Sequence, residues 1–368
     1  MGGFPEITVL GAGCGGQAMA ADLTLAGFDV RLFELPEFSE NVRPIIERGG
    51  IQISGAAREG FARLATVTTD VRKALEGANL VMVAVPAFGH ETFARIIAPH
   101  LNDEQVVVFN TGYFAALRFR DILRSIAKHV VIAENMILPY TCRLLGSGHV
   151  QVDGKKKQMY VAALPATDTD RAVGILRNAY PEVKPAANVL KTSLDNLNIV
   201  SHSVVTVLNK GLVDRADSVT LPVTEAVTPS VGKVMDAVDK ERAKVGNALG
   251  VKVSPIKEML EMWGYKTHGD TVYENYQNCE PFQKYSWKYV RGSHQYLRED
   301  LTYGLVPLAS LGDLVSVPTP TIDATVQLFS IMDEVDYKTL GITSERMGLA
   351  GLTLSQIQNL LSNGTVQL

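Results

Sequence analysis

A glycine-spaced turn restricts this chain more than any other feature. Gly11-Ala-Gly13-Cys-Gly-Gly16 follows the apolar run Ile7-Thr-Val-Leu10 and opens into the helical stretch Gln17–Ala26. Strand, turn and helix in that order give a GxGxxG spacing the context it needs. The first glycine permits the tight turn, the second lets backbone N–H groups approach a pyrophosphate, and the third lets helix and strand pack closely. The helix N-terminus then faces the phosphate charge. The alternative is a purely structural glycine-rich turn, and the flanking elements weigh against it.

A second run, Asp29–Phe33, ends at Glu34, eighteen positions after Gly16. That is close to the ~20 at which an acid holds the adenine ribose 2′-hydroxyl of a bound dinucleotide. A carboxylate there repels a 2′-phosphate, and Leu35-Pro36 supplies no arginine to offset it, so NAD(H) is expected over NADP(H). Further β-branched runs at Leu80–Val85, Val106–Asn110, Val130–Ala133 and Met159–Ala163 alternate with helical stretches, the pattern of a parallel sheet with crossover helices. The stretch Gly49–Ala65 fits a small antiparallel excursion.

Past Pro181-Glu-Val-Lys-Pro185 the strand signals fade and 3.6-residue periodicity takes over. The fold class expected is α/β, a Rossmann doubly wound sheet over residues 1–185 followed by an all-α domain over 186–368. Thr228-Pro229 reads as a capped helix start running to Leu249-Gly250, and after Pro320 the residues Ile322, Val326, Phe329 and Met332 suggest one buried helical face. At 368 residues the chain is long enough for about two domains.

Charge excludes several partner classes. Thirty-five basic and 39 acidic residues give a formal net charge of −4 with no basic field, so neither nucleic acid nor a membrane surface is an expected partner. No apolar run approaches the ~20 residues of a bilayer crossing, and no charged leader precedes the first strand. Cys14, Cys142 and Cys279 are odd in number and lack metal-ligand spacing, so no metal is expected and a reduced cytoplasm fits. Cys14 reads as a small apolar residue in its turn, with no second cysteine near in sequence.

A helix expected from Leu190 to about Lys210 carries Lys191, Asp195, Asn198, His202, Thr206 and Asn209 on one narrow stripe. Such a stripe is usually a solvated face. Four of its six residues are uncharged, however, and a histidine one turn after an asparagine also suits a crevice lined for acid–base chemistry.

Asn198-Ile-Val-Ser-His202, Leu208-Asn209, Thr228-Pro-Ser-Val231, Glu299-Asp300-Leu-Thr-Tyr-Gly-Leu-Val-Pro-Leu308 and Val317-Pro-Thr-Pro320, with Val85-Pro86 and Thr141-Cys-Arg143, occur in that family order along nearly the whole chain. Together they make the sequence resemble the opine dehydrogenases, the octopine, nopaline and N-(1-carboxyethyl)-norvaline enzymes. The resemblance implies a Rossmann domain with a 6-phosphogluconate-dehydrogenase-like helical domain. It also implies NADH-dependent reductive condensation of an amino acid or amine with a 2-keto acid, which forms a CH–NH bond. By it, His202 is the catalytic histidine and Asp300 its partner. Pro86 joins Gly11, Gly13, Gly16 and Glu34 at the cofactor, and Asn198 lies with the substrate. The implied partners are small molecules, with a homodimer left open.

One position departs from that pattern. The family places an arginine, taken to grip the keto-acid carboxylate, five positions before the aspartate, where this chain has Gln295. An amide lacks the charge-assisted fork of a guanidinium. Arg298 and Arg291 neighbour Gln295 on a helical face and are candidates to replace it. Two rival readings stand: a ketopantoate-reductase-like hydroxy-acid dehydrogenase, which needs no amine, and a non-enzymatic NAD-responsive binding protein.

Overall fold

The computed structural model describes residues 5–125, 129–290 and 295–366. The chain divides into two units, Met1–Ser193 with Asn359–Leu368 and Leu194–Gln358. The division falls beyond Pro181–Pro185, because Ser193 belongs to the first unit through its hydroxyl, which donates to Glu134 at 2.6 Å.

The strands of the first unit are β1 (Ile7–Leu10), β2 (Val30–Phe33), β3 (Ile51–Gly55), β4 (Gly60–Ala62), β5 (Thr66–Thr68), β6 (Leu80–Val83), β7 (Val106–Asn110), β8 (Val131–Asn135), β9 (Tyr140–Gly146), β10 (His149–Lys155), β11 (Met159–Leu164) and β12 (Val183–Pro185). Eight of them form one sheet in the order β12-β11-β8-β7-β6-β1-β2-β5. All its pairs are parallel except β11 with β8. Every residue of β1, β6, β7 and β8 is buried, so both sheet faces are covered, which is why these strands are apolar runs and not alternating ones. From β1 the chain moves to β2 on one side and later crosses to β6 on the other. Such a reversal opens a crevice at the carboxyl ends of the strands, where doubly wound sheets bind ligands.

The expected excursion at Gly49–Ala65 contains the antiparallel pair β3–β4, and β10 and β9 extend it to four strands, with β10 parallel to β3. Of the proline pair, Pro181 precedes edge strand β12 and Pro185 ends it, where it needs no N–H for a further neighbour.

The second unit is mainly helical. Its longest helix, Pro229–Ala248, starts as the sequence suggests, with Thr228 Oγ1 accepting from the Val231 amide at 3.3 Å. A two-stranded antiparallel ribbon, Ser218–Pro222 with Ser286–Val290, accompanies the helices. In Pro320–Asp333, Ile322, Val326 and Phe329 are buried but Met332 is 39% exposed. Ten residues after Ile322, at about 100° each, Met332 has rotated off that face.

The expected single helix over Leu190–Lys210 is instead two, Val189–Leu194 and Asn198–Val213. The break coincides with Asp195, which is fully buried. Its carboxylate accepts from both the amide and the hydroxyl of Ser254 at 2.8 Å and lies 3.7 Å from the equally buried Arg242 guanidinium. Asp195 therefore belongs to a buried ion pair and not to a crevice stripe.

Candidate active site

In the first unit the turn links β1 to helix α1 (Cys14–Leu25), and its glycines serve three different needs. Gly11 has φ +97°, and a Cβ there would lie 2.3 Å from Val85 Cγ1. The Val85-Pro86 segment after β6 thus packs directly on the turn. At Gly16 a Cβ would fall 1.8 Å from the Gly11 carbonyl oxygen, so only glycine allows this helix to leave this strand. Around Gly13 nothing lies within 4 Å of the position a Cβ would take, and Gly13 is the residue that caps α1. Open space at the helix N-terminus, with a glycine exposing its amides, is a cradle suited to a pyrophosphate.

Glu34 stands at the end of β2, 5% exposed. Its Oε2 accepts from the Ala12 amide at 2.9 Å and from Asn41 at 3.2 Å, and its Oε1 accepts from the Leu35 amide at 2.9 Å. These bonds tie the acid to the turn. A carboxylate has about four acceptor positions, so capacity for a ribose hydroxyl is left after three such bonds.

The second unit brings together two residues 98 positions apart: His202 Nδ1 is 2.8 Å from Asp300 Oδ2. His202 sits on the helix Asn198–Val213 with its side chain 17% exposed, whereas that of Asp300 is 1% exposed. Trp287 meets the imidazole edge to face, with ring centres 6.1 Å apart. A buried carboxylate on Nδ1 fixes the tautomer and orientation of the ring and directs its chemistry to Nε2.

Local sequence explains how Asp300 reaches the ring. It ends the helix Gln295–Asp300, and a π-helical turn, Leu301–Leu305, follows before the helix Val306–Leu314. Such turns occur mostly as local interruptions, often at functional sites. Within it a Cβ on Gly304 would meet Ile199 Cγ1 at 2.8 Å, so this glycine sets how closely the turn approaches the histidine helix. Pro307 then opens the next helix where a missing N–H costs nothing.

Asn198 opens the histidine helix, half-buried and one turn before His202. Thr206 and Asn209 turn back to the helix, donating to the carbonyls of His202 and Val205 at 2.7 Å each. Arg298 is exposed and contacts the Tyr337 phenol. The backbone of Gln295 opens its helix, while its side chain and the whole of Arg291 lie outside the described residues.

The alpha-helical domain of NAD/NADP octopine/nopaline dehydrogenases matches residues 185–332, and the ketopantoate reductase PanE/ApbA model matches residues 7–166. An opine dehydrogenase of Arthrobacter sp. (strain 1C) is 35% identical over 358 residues, which cover 95% of this chain and 97% of that one. This chain belongs to the opine dehydrogenase family. Octopine dehydrogenase of Mizuhopecten yessoensis is 25% identical over 304 residues, 74% of each chain. The solved structure of an octopine dehydrogenase with NADH and L-arginine has the same fold, with TM-score 0.77, 20% identity and 99% of both chains covered.

This opine dehydrogenase family member also carries a buried carboxyl that pattern reading passed over. Glu134 in β8 is fully buried, accepting from the Ala116 amide at 2.7 Å and from the hydroxyls of Ser193 at 2.6 Å and Thr192 at 3.3 Å. Burial pushes its pKa up to about 7 against the opposing pull of those bonds. The available signal was an acid directly after the apolar run Val131-Ile-Ala133 in a buried strand. Among the described residues no helix is long and apolar enough to cross a membrane.

Proposed function

We propose that this chain is an NAD(H)-dependent oxidoreductase that joins an amino acid or amine to a 2-keto acid by reductive condensation, with His202 and Asp300 as its proton-handling pair. The single observation that carries the proposal is that pair, a buried carboxylate 2.8 Å from the ring nitrogen of a part-exposed histidine. Membership of the opine dehydrogenase family supports the reaction class. The open cradle at Gly13 and the acid at the end of β2 fit a dinucleotide with an unphosphorylated ribose. Gly11, Gly13, Gly16 and Pro86 would shape that site and Glu34 would take the ribose hydroxyls. Bound NADH supplies the hydride that reduces the imine carbon.

The remaining work is proton transfer and orientation. His202 Nε2 takes a proton from the substrate ammonium, which frees the nitrogen lone pair to add to the ketone. It returns that proton to the departing hydroxyl as water leaves and the imine forms. Asp300 keeps Nδ1 protonated and stabilises the imidazolium between these steps. Asn198, one turn away, orients the substrate. Arg298 is the candidate to hold the keto-acid carboxylate in place of the arginine that Gln295 replaces. A cytoplasmic setting belongs to the same reading and rests on three cysteines that are odd in number and far apart in sequence.

The ketopantoate-reductase match over residues 7–166 favours a second reading, reduction of a 2-keto acid to a hydroxy acid. NADH oxidation with a keto acid alone, against the same keto acid plus a panel of amino acids, separates the two. Oxidation that requires the amine supports condensation, and equal rates without it support the second reading.

A further inference from the structure

The fold brings a cysteine of the glycine turn against a cysteine of β9. Cys14 is the first residue of α1, Cys142 lies in β9 far along the sequence, and their sulfurs are 3.2 Å apart. Strand β9 packs along α1, which is how the fold brings them together. All three cysteines are thiols; Cys14 and Cys142 are part-exposed and Cys279 is buried. A disulfide needs sulfurs about 2.05 Å apart, so a shift of about 1 Å closes the bond. Lys156 lies buried nearby with its Nζ 3.4 Å from Thr141 Oγ1, and burial brings its pKa down to about 8.

We propose that Cys14 and Cys142 form a redox-sensitive modification site, in which hydrogen peroxide converts the two thiols to a disulfide that ties the phosphate-binding turn to β9 and weakens cofactor binding. The Cys142 thiolate, its proton given to solvent, attacks one peroxide oxygen. The O–O bond breaks, leaving a sulfenic acid on Cys142 and, after protonation, one water. Cys14 Sγ then attacks the sulfenic sulfur, and its proton leaves with the hydroxyl as the second water. Two thiols have lost two electrons and two protons, and one peroxide has become two waters.

The turn has little freedom to absorb this shift. Gly16 leaves no room against the Gly11 carbonyl, and a Cβ at Gly15 would lie 2.7 Å from Leu138 Cδ2. Drawing Cys14 towards β9 therefore displaces the amides at the start of α1, which the cofactor reading assigns to the pyrophosphate. The effect on affinity rests on the cofactor reading above, whereas formation of the disulfide does not.

The test treats the full-length protein with hydrogen peroxide and reads thiols, mass and NADH affinity. The expected result is a fall from three titratable thiols to one, a mass lower by two hydrogens and a Cys14–Cys142 linked peptide. NADH affinity should fall about tenfold, a change of about 1.4 kcal/mol, and recover with dithiothreitol. Cys142→Ser should bind NADH as the untreated protein does and ignore peroxide, with Cys14→Ala as a second variant that cannot form the bond. Three thiols surviving treatment, or thiols lost by oxygen addition without the linked peptide, overturn the site. A disulfide that leaves NADH affinity unchanged overturns its effect on the cofactor. If the untreated protein binds no NADH, the cofactor reading fails, and thiol count and mass still decide the disulfide.

Discussion

Replacing Asp300 by asparagine tests the catalytic pair with almost no change in shape. The carboxylate is 1% exposed and 2.8 Å from His202 Nδ1, so it serves the ring with one short charge-assisted bond shielded from water. Such a bond is worth roughly 1.5–3 kcal/mol, which at 1.36 kcal/mol per decade gives about one to two orders of magnitude in rate. An amide adds a further loss, because its NH2 group can donate to Nδ1 and hold the tautomer with the proton on Nε2, where a base is needed. The combined expectation for Asp300→Asn is a fall in kcat of about two to four orders of magnitude. NADH affinity should hold, since the turn and Glu34 lie in the other unit. Steady-state kinetics with one amine and keto-acid pair, alongside NADH titration by fluorescence, reads both quantities. A kcat within a few-fold of the parent, or a loss of NADH affinity matching the loss of rate, would refute this reasoning.

His202→Ala should lower turnover by about two to four orders of magnitude with NADH affinity nearly kept, because the role assigned is proton transfer; near-normal turnover would make His202 an ordinary core histidine. Calorimetric titration should give tighter binding of NAD(H) than NADP(H), and comparable affinities would remove Glu34 from the ribose site. Arg298→Ala should raise the Michaelis constant for a 2-keto acid with much less effect on that for NADH, whereas an unchanged constant would leave Arg298 as a partner of Tyr337 alone. Glu134 gives a pH signature: its pKa rises from 4.5 to about 7 in the fold, so the folded state binds more protons and stability falls as pH rises through that window. The loss amounts to about 3 kcal/mol by pH 8, and Glu134→Gln should flatten the denaturation midpoint between pH 5 and 7, a result contradicted by a variant as pH-dependent as the parent.

The first unit was legible because its signals are local. A strand, a glycine-spaced turn and a helix lie in one continuous stretch, and the acid at Glu34 follows at a spacing set by one crossover. The second unit was legible only in part. His202 and Asp300 meet through the tertiary fold, so periodicity could place the histidine on a stripe without finding its partner. The same limit assigned Asp195 to that stripe, although Arg242 and Ser254, distant in sequence, bury it and accompany the break in the helix. Cys14 reads as an isolated small residue until β9 delivers Cys142 to it. Distances along the chain say little about such pairs, because they depend on how elements stack.

The most direct measurement follows the hydride itself. With NADH deuterated at the transferable position, an amino acid and pyruvate, mass spectrometry of the product should find an N-linked secondary amine with one deuterium on the carbon that was the ketone. No deuterated lactate should accompany it. Deuterium found in the 2-hydroxy acid, at the same rate with or without the amine, would contradict reductive condensation and assign the chain to keto-acid reduction instead.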